Sequence, residues 1–359
     1  MYALQTVKQL IKRGCSTDLL CYPDSRLCKE AFGAEITSYQ IRFESYLNPF
    51  RIIELRNLLL KNRYDLIHTD ATRDLWIIVP ALKLAGLNIP LLFTKHIGSS
   101  VIKKDPIHKW LYGRVDLGLA ISSVIKNNLS ETTPLGEDRI LLLHDAIDTE
   151  LFNPDKTDHQ KIRNEFRINK DELVIGMTAR FSPGKGHEEF LLAARKIASS
   201  FNNVKFLVVG EPSRGEEEYA GRIKNLAAEL KITDKLIFTG FRKDIPQILA
   251  ALDIFVFPSH AEAFGLALVE AMSMKLPSVC SNSDGVLDIA VDGETSLLFE
   301  KKNHAEIADK VIALINDPGK RIAFGENARR RVLEKFDFDV FTEKMINIFE
   351  KQIARSENN

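Results

Sequence analysis

Short apolar runs alternate with longer stretches of helical period along the whole chain. The runs in the second half are LVIGMTA (173–179), VKFLVVG (204–210), KLIFTG (235–240), DIFVFPS (253–259), PSVCS (277–281) and TSLLF (295–299). Nearly continuous apolarity is typical of parallel strands that helices cover on both faces. Helical patterns over 187–199, 216–231 and 265–275 lie between the runs. This half therefore predicts a doubly wound α/β domain with six strands, whose ligands bind beyond the carboxyl ends of the strands.

The first half shows the same alternation in a less regular form. Its strand candidates are TDLLCY (17–22), YDLIHTD (64–70), PLLFTK (90–95), DLGLAIS (116–122) and RILLLH (139–144). Pro154 and several charged residues interrupt the pattern over 145–166, as expected where one domain gives way to another. We therefore predict domains at 1–150 and 151–336, and a final segment, 337–359, whose helix crosses back to the first domain.

The beginning of the chain departs from this pattern. Met1 leads directly into the amphipathic stretch YALQTVKQLIKRG with no strand before it. A doubly wound domain normally begins with a strand in the middle of its sheet. The sequence thus predicts a first domain that lacks its first strand, through either truncation or a misassigned start. Such a loss would cost about 1–3 kcal/mol for each buried backbone group left unpaired.

Composition narrows the class of protein. A chain of 359 residues with 45% hydrophobic and 27% charged residues is typical of a globular protein with two domains. Lys+Arg and Asp+Glu both total 49, so the overall charge gives no sign of a nucleic-acid partner. The chain has no apolar segment of about 20 residues and no pattern typical of a signal peptide. We therefore expect a cytoplasmic protein, with a peripheral position at the inner face of the cytoplasmic membrane as an option.

Cysteine and histidine spacing gives no metal signature. The four cysteines, Cys15, Cys21, Cys28 and Cys280, are expected to be reduced thiols, although a disulfide among the first three stays open. The eight histidines form no HExxH or similar pattern, so we expect no metal and no cofactor.

The stretch AEAFGLALVE places two carboxylates, Glu262 and Glu270, on either side of Gly265. Glu262 would lie in the loop after a strand, and Glu270 within the helix that begins near Gly265. The amides of Ala263 to Leu266 would lie at the start of that helix, beside the positive end of its dipole. This layout suits a ligand with hydroxyls at both ends and phosphate in the middle, as in a nucleotide sugar. Alternatively, Glu270 faces solvent on a surface helix, or the two carboxylates are a general acid and base.

A second cluster, TARFSPGKGHEEF, places two permanent cations at the end of another strand. Arg180 and Lys185, next to the flexible Gly184 and Gly186, can neutralise a diphosphate and stabilise it as a leaving group. The GKGH sequence lacks the spacing of a Walker A loop, which excludes that class of ATPase. A plain cationic turn is the alternative. Both clusters, together with FTGFRKD (238–244), follow strands of the same predicted sheet, so they are expected to line one crevice.

These motifs, in this order from about 139 to 335, resemble the C-terminal domain of family-4 glycosyltransferases, which are retaining enzymes of the GT-B fold. The resemblance implies two Rossmann-like domains that face one another across a cleft. Residues 1–150 would then be the acceptor-side domain and residues 151–336 the domain that binds the nucleotide sugar.

The resemblance also implies roles for individual residues. Arg180 and Lys185 would bind the diphosphate and Glu270 the ribose hydroxyls. Glu262 and the amides that follow it, particularly at Phe264, Gly265 and Leu266, would hold the transferred sugar. Phe241 and Arg242 would border the base. In the first domain, LLFTKHIGSS resembles the family's strand that ends in a histidine near the reacting sugar; the matching residue is His96, for which a structural role at the strand end is the alternative.

The segment 95–114 is basic and carries apolar residues. It contains Lys95, Lys103, Lys104, Lys109 and Arg114 against one aspartate, a net charge of about +4. Such a segment binds an anionic acceptor or an anionic membrane surface, or is simply a solvated helix with an inward apolar face.

Taken together, the sequence predicts a glycosyltransferase that moves a sugar from a nucleotide-diphosphate sugar to a carbohydrate or glycolipid acceptor with retention of configuration. The resemblance to this family also implies a role in the synthesis of a cell-envelope polysaccharide or lipopolysaccharide. Three alternatives remain open: a glycosidase that uses the glutamate pair, a nucleotide-sugar epimerase, and a non-catalytic protein that binds sugar nucleotides.

Overall fold

The structure is a computed structural model that describes residues 2–43 and 46–358. The helices in chain order are α1 Tyr2–Lys12, α2 Arg26–Gly33, α3 Pro49–Lys61, α4 Leu75–Ala85, α5 Pro106–Gly113, α6 Ser123–Thr132, α7 Gln160–Glu165, α8 His187–Ser200, α9 Glu217–Glu229, α10 Ile245–Ala250, α11 Leu266–Ser273, α12 Val286–Ile289, α13 His304–Asn316, α14 Pro318–Lys335 and α15 Phe338–Glu357. The strands are β1 Leu19–Cys21, β2 Ser38–Gln40, β3 Ile67–Thr69, β4 Leu91–Lys95, β5 Leu117–Ala120, β6 Ile140–Leu142, β7 Leu173–Thr178, β8 Val204–Val209, β9 Leu236–Gly240, β10 Ile254–Phe257, β11 Ser278–Ser281 and β12 Ser296–Phe299.

The chain divides into two compact α/β units. Unit 1 comprises Met1–His144 together with Phe338–Asn359, and unit 2 comprises Asp145–Asp337. The sheets of both units are parallel, as the sequence predicts for doubly wound domains. Helix α15 belongs to unit 1, where the Tyr2 ring of α1 packs against Phe338 and Phe341 with centroid separations of 5.3 and 5.9 Å.

Unit 2 contains a six-stranded sheet in the order β12-β11-β10-β7-β8-β9. The chain runs outward from β7 to β9 on one side and then from β10 to β12 on the other. The order therefore reverses between β7 and β10, and the carboxyl ends of these two strands form the topological switch point where open α/β sheets bind ligands. Strands β10 and β11 are fully buried, whereas the edge strands β9 and β12 are only partly buried. Phe206 of β8 is buried and packs edge-on against Phe190 of α8 at 6.2 Å.

Unit 1 contains two separate parallel sheets. One has the order β3-β4-β5-β6, and the other pairs β1 with β2. Helix α1 precedes β1 in the described chain. Strand β2, with the sequence SYQ, has two half-buried residues and one exposed residue. It has no apolar run, so the sequence pattern does not reveal it. The other strands of the described chain lie within three residues of their predicted limits.

Several helices begin where a capping side chain is followed by proline. Asn48, Asp105 and Asp317 each accept a hydrogen bond from a first-turn amide, and the next residue is Pro49, Pro106 and Pro318, respectively. A cap of this kind satisfies a backbone donor that the helix cannot, and proline at the first helical position loses nothing because its missing N–H would have been unpaired. Among the described residues, no helix is long and apolar enough to cross a bilayer.

Candidate active site

The loops that follow β7 and β10 are in direct contact because their strands are neighbours in the sheet. Gly186 has φ of +77°, and a Cβ atom on it would lie 2.3 Å from the carbonyl oxygen of Pro258. The backbone N–H of His260 donates to the Gly184 carbonyl at 2.9 Å, and the His260 ring pairs with Glu189 of α8 at 2.9 Å. Gly186, which was expected to give flexibility, therefore allows the two loops to approach more closely than any side chain would permit.

This approach brings together two of the predicted site residues. Lys185 Nζ donates to Glu262 Oε1 at 2.6 Å, and the two side chains are only 24% and 17% exposed. A charge-assisted hydrogen bond of this length is among the stronger polar contacts in proteins. The cation of the first cluster and the first carboxylate of the second thus neutralise one another at the switch point of the sheet.

The backbone after Glu262 is held by the loop that follows β11. Gly285 donates its N–H to the Glu262 carbonyl at 3.1 Å, and a Cβ on Gly285 would lie 2.6 Å from the Ala263 oxygen. The Phe264 ring is buried and packs edge-on against Phe336 at 5.7 Å, so only its backbone is available to a ligand. Gly265 then takes φ of +125° and starts α11. The Leu268 amide donates to the Gly265 carbonyl at 2.9 Å, so the amides of Leu266 and Ala267 come before the first intrahelical bond.

Glu270 lies in the second turn of α11. Burial raises the pKa of its carboxyl group to about 7. Within the described residues, no side chain forms a hydrogen bond or ion pair with this carboxylate. Perturbed carboxyl groups without a structural partner are typical of functional sites.

Arg180 is held by the loop between β8 and α9. Its Nη1 donates to Ser213 Oγ at 3.1 Å. The carboxylate of Glu216 accepts hydrogen bonds from the Ser213 amide at 3.2 Å and from the Ser182 hydroxyl, and these bonds, the Ser182 bond first, lower the pKa of Glu216. Arg180 itself is exposed to solvent.

The two residues predicted to border the base differ in their surroundings. The Phe241 ring is 61% exposed at the end of β9. The Arg242 guanidinium binds Glu165 of α7, with Nη2 3.0 Å from Oε2, and Asp244 at 2.7 Å. It therefore already has two carboxylate partners, and Phe241 is the more accessible of the pair.

His96 lies in unit 1, directly after β4. Its Nε2 is 3.3 Å from Asp70 Oδ1, and its ring packs edge-on against Tyr2 at 5.9 Å. Asp70 follows the neighbouring strand β3. Burial tends to raise the pKa of Asp70, but the hydrogen bond from His96 and the nearby histidines outweigh it, so the pKa lies below its ordinary value. A carboxylate on one ring nitrogen fixes the orientation of the imidazole.

Sequence reasoning did not identify several residues that support these side chains: Asp70, Glu189, Ser213, Glu216, His260 and Gly285. The sequence could indicate only their location, since each residue follows or faces the carboxyl end of a strand. Their partners are set by neighbouring strands that lie far apart in the chain. Among the described residues, no cluster of histidine, cysteine, aspartate or glutamate is arranged to hold a metal ion.

Gly186→Ala should destabilise unit 2 by about 2–4 kcal/mol, because the added methyl group meets the Pro258 carbonyl and the left-handed backbone adds strain. Gly184→Ala is the matched control: its φ is +83°, but a Cβ there meets nothing within 4 Å, so only the strain of about 1 kcal/mol remains. Urea denaturation of both variants measures the difference. Equal losses would show that the two loops are not in close contact.

Comparison with known proteins shows which families this chain resembles. Residues 158–331 match the family model described as glycosyl transferases group 1, and residues 1–151 match the model described as glycosyltransferase family 4. The capsular polysaccharide biosynthesis glycosyltransferase CapM of Staphylococcus aureus is 30% identical over 250 residues, which cover 67% of this chain and 62% of CapM. The N-acetyl-alpha-D-glucosaminyl L-malate synthase of Bacillus anthracis is 26% identical over 75% of this chain and 69% of its own length.

Solved structures show the same fold. A glycosyltransferase from Rickettsia africae superposes with a TM-score of 0.89 at 23% identity, covering 98% of this chain and 94% of its own. Anabaena Alr3699/HepE in complex with UDP superposes with a TM-score of 0.83 at 20% identity, covering 97% and 96%. Both chains are matched over nearly their full length, so the two α/β units are Rossmann-like units of the GT-B type.

Proposed function

Because the chain belongs to the group 1 glycosyltransferases of family 4, with the GT-B fold, we propose that it transfers a sugar from a nucleotide-diphosphate sugar to an acceptor hydroxyl with retention of configuration. The observation that carries the proposal is the contact between Lys185 and Glu262 at the switch point of the unit 2 sheet. A cation for the diphosphate and a carboxylate for sugar hydroxyls lie side by side there, as a nucleotide sugar requires.

In the proposed reaction, Arg180 and Lys185 bind the donor diphosphate. The bond between the anomeric carbon and the diphosphate oxygen breaks, and the acceptor oxygen attacks from the same face. The acceptor proton passes to the departing diphosphate, so no protein base is needed. Negative charge grows on the diphosphate as the bond breaks, and cations fixed in advance by Ser213 and by the Gly184–Gly186 turn stabilise it more in the transition state than in the ground state.

The remaining assignments follow the chemistry of each group. Glu262 and the first-turn amides of α11 hold the transferred sugar, Glu270 accepts hydrogen bonds from the ribose, and Phe241 provides an exposed ring against which a base can stack. His96, oriented by Asp70, is a positioning residue for the reacting sugar. Anabaena HepE has been solved with UDP and with UDP-glucose, which supports uridine nucleotides as the first donors to test.

We further propose that the acceptor is a carbohydrate or glycolipid of cell-envelope polysaccharide synthesis. The similarity to CapM, named for capsular polysaccharide biosynthesis, supports this class of acceptor. An acceptor on a lipid carrier is consistent with the surface of 95–114, where Ile97, Val101, Ile102, Ile107 and Trp110 are 42–74% exposed. Exposed apolar side chains among lysines are the composition that binds anionic bilayers.

Lys104→Ala with Lys109→Ala should weaken binding to anionic vesicles by about 30-fold, because each of the two lysines contributes about 1 kcal/mol near a charged bilayer. Both side chains are exposed on 95–114. Cosedimentation with phosphatidylglycerol vesicles, with phosphatidylcholine vesicles as reference, measures the effect. Lys224→Ala with Lys301→Ala, two exposed lysines of unit 2, is the control. Equal binding by both pairs would assign 95–114 no role at a membrane.

The experiment that tests the function is a panel of UDP-, GDP- and ADP-linked sugars with oligosaccharide and lipid-linked acceptors, with products identified by mass spectrometry and the anomeric configuration by NMR. The expected result is a product that requires an acceptor and has the configuration of the donor. A product formed without acceptor would indicate an epimerase. Hydrolysis of an aryl glycoside without nucleotide would indicate a glycosidase, and binding without turnover a non-catalytic protein.

A further inference from the structure

The two groups proposed to hold the donor are paired with one another in the structure. Lys185 Nζ and Glu262 Oε1 are 2.6 Å apart in a mostly buried setting. Both loops are fixed independently of this contact, by Gly186 against Pro258, by Gly285 against Ala263 and by the His260 amide on the Gly184 carbonyl. Moving the loops apart would therefore be costly. A ligand that binds Lys185 must share its ammonium group with Glu262 or displace Glu262 by rotation of the side chains.

The cost of that displacement depends on what the ligand offers to Glu262. A diphosphate competes for the Lys185 ammonium and places new negative charge beside the Glu262 carboxylate, which is 17% exposed. A mostly buried carboxylate whose hold on its cation is weakened destabilises the complex, and a like charge nearby increases that cost. Sugar hydroxyls on the same ligand donate hydrogen bonds to the carboxylate and remove most of that cost.

We propose that Glu262 is a specificity-determining residue, which through its ion pair with Lys185 makes the site favour a nucleotide-diphosphate sugar over the nucleoside diphosphate that remains after transfer. This inference rests on the proposed function and extends it. Discrimination arises from a penalty imposed on the ligand that lacks the sugar, in addition to the hydrogen bonds that the sugar itself forms. After transfer the sugar leaves Glu262, the carboxylate competes again for Lys185, and the nucleoside diphosphate dissociates faster.

The test compares binding of a nucleoside diphosphate and of its sugar by Glu262→Gln and by the unchanged protein. Titration calorimetry is run with UDP and UDP-glucose, GDP and GDP-mannose, and ADP and ADP-glucose. We expect the Glu262→Gln variant to bind the nucleoside diphosphate at least fivefold tighter than the unchanged protein does, since the neutral amide forms no ion pair with Lys185 and does not repel the diphosphate. It should bind the nucleotide sugar no tighter, so the dissociation constant of the nucleoside diphosphate divided by that of its sugar should fall at least fivefold.

Two further variants keep the result interpretable. Glu218→Gln removes the same charge from an exposed position of α9 and should leave both dissociation constants unchanged. Glu262→Asp keeps the charge but shortens the side chain by one methylene, so it should give an intermediate ratio; it also covers the case in which Glu262→Gln does not fold.

The outcomes separate this inference from the proposed function. If a nucleotide sugar binds and Lys185→Met abolishes that binding, while Glu262→Gln binds the nucleoside diphosphate no tighter, the specificity role is wrong and the donor site stands. If none of the six nucleotides binds to any of the folded proteins, the donor site and the specificity role are both wrong.

Discussion

Replacing Arg180 and Lys185 by alanine together is expected to lower the rate of sugar transfer by about 10³-fold or more. Removing one group that stabilises developing negative charge typically costs 10²–10³-fold in rate. The two cations lie on one turn after β7, and separate contacts hold them, Ser213 for Arg180 and Glu262 for Lys185. The loss of either leaves the other in place, so each single variant should retain measurable activity and only the double variant should approach background.

The measurement is kcat with the donor that the nucleotide panel selects, with circular dichroism to verify the fold. Lys224→Ala with Lys301→Ala removes the same charge from exposed positions of unit 2 and should retain full activity. Because Lys185→Ala strips Glu262 of its cation, the double variant should also lose about 1–3 kcal/mol of stability. Full activity in a folded double variant would reject the assignment of these cations to the diphosphate.

The fold could be predicted from the sequence because its signal is local. Parallel strands buried on both faces produce unbroken apolar runs, and the six strands of unit 2 lie within two residues of their predicted limits. Strand β2 was missed because it has no apolar run: Ser38 and Tyr39 are half-buried and Gln40 is exposed. A strand that is defined by its pairing with a neighbouring strand, as β2 is with β1, leaves no apolar run in the sequence.

The site was predictable only in part, for a related reason. The position of Lys185 and Glu262 at neighbouring strand ends follows from a doubly wound sheet, but their direct contact depends on the register between loops that lie 77 positions apart in sequence. The partners of Arg242 illustrate the same limit. Glu165 reaches it from α7, and no pattern in the sequence connects the two. The sheet topology predicts which residues lie at the carboxyl edge of the sheet, but the contacts between their side chains depend on how the loops pack.

Glu270 provides a test that depends on pH. In the folded protein burial raises the pKa of its carboxyl group to about 7, from an ordinary value of 4.5. Between these two values the folded protein holds a proton that the unfolded chain releases, so the stability contributed by this group falls as pH rises from about 4.5 to 7 and is constant above that. The full loss is on the order of 3 kcal/mol. Glu270→Gln should remove this dependence and be more stable than the unchanged protein at pH 8.

Donor binding should lower the pKa of Glu270, because ribose hydroxyls donate hydrogen bonds to its carboxylate and favour the ionised form. Binding of the donor at pH 7 should therefore release up to about half a proton, which calorimetry detects as a binding enthalpy that differs between phosphate and Tris buffers. In Glu270→Gln the release should vanish and the affinity fall by at least tenfold, since hydrogen bonds to a charged acceptor are lost. The control Glu218→Gln should retain the proton release and the affinity of the unchanged protein. A Glu270→Gln variant that binds the donor with unchanged affinity and the same proton release would place the ribose elsewhere, and the raised pKa would then reflect burial of α11 alone.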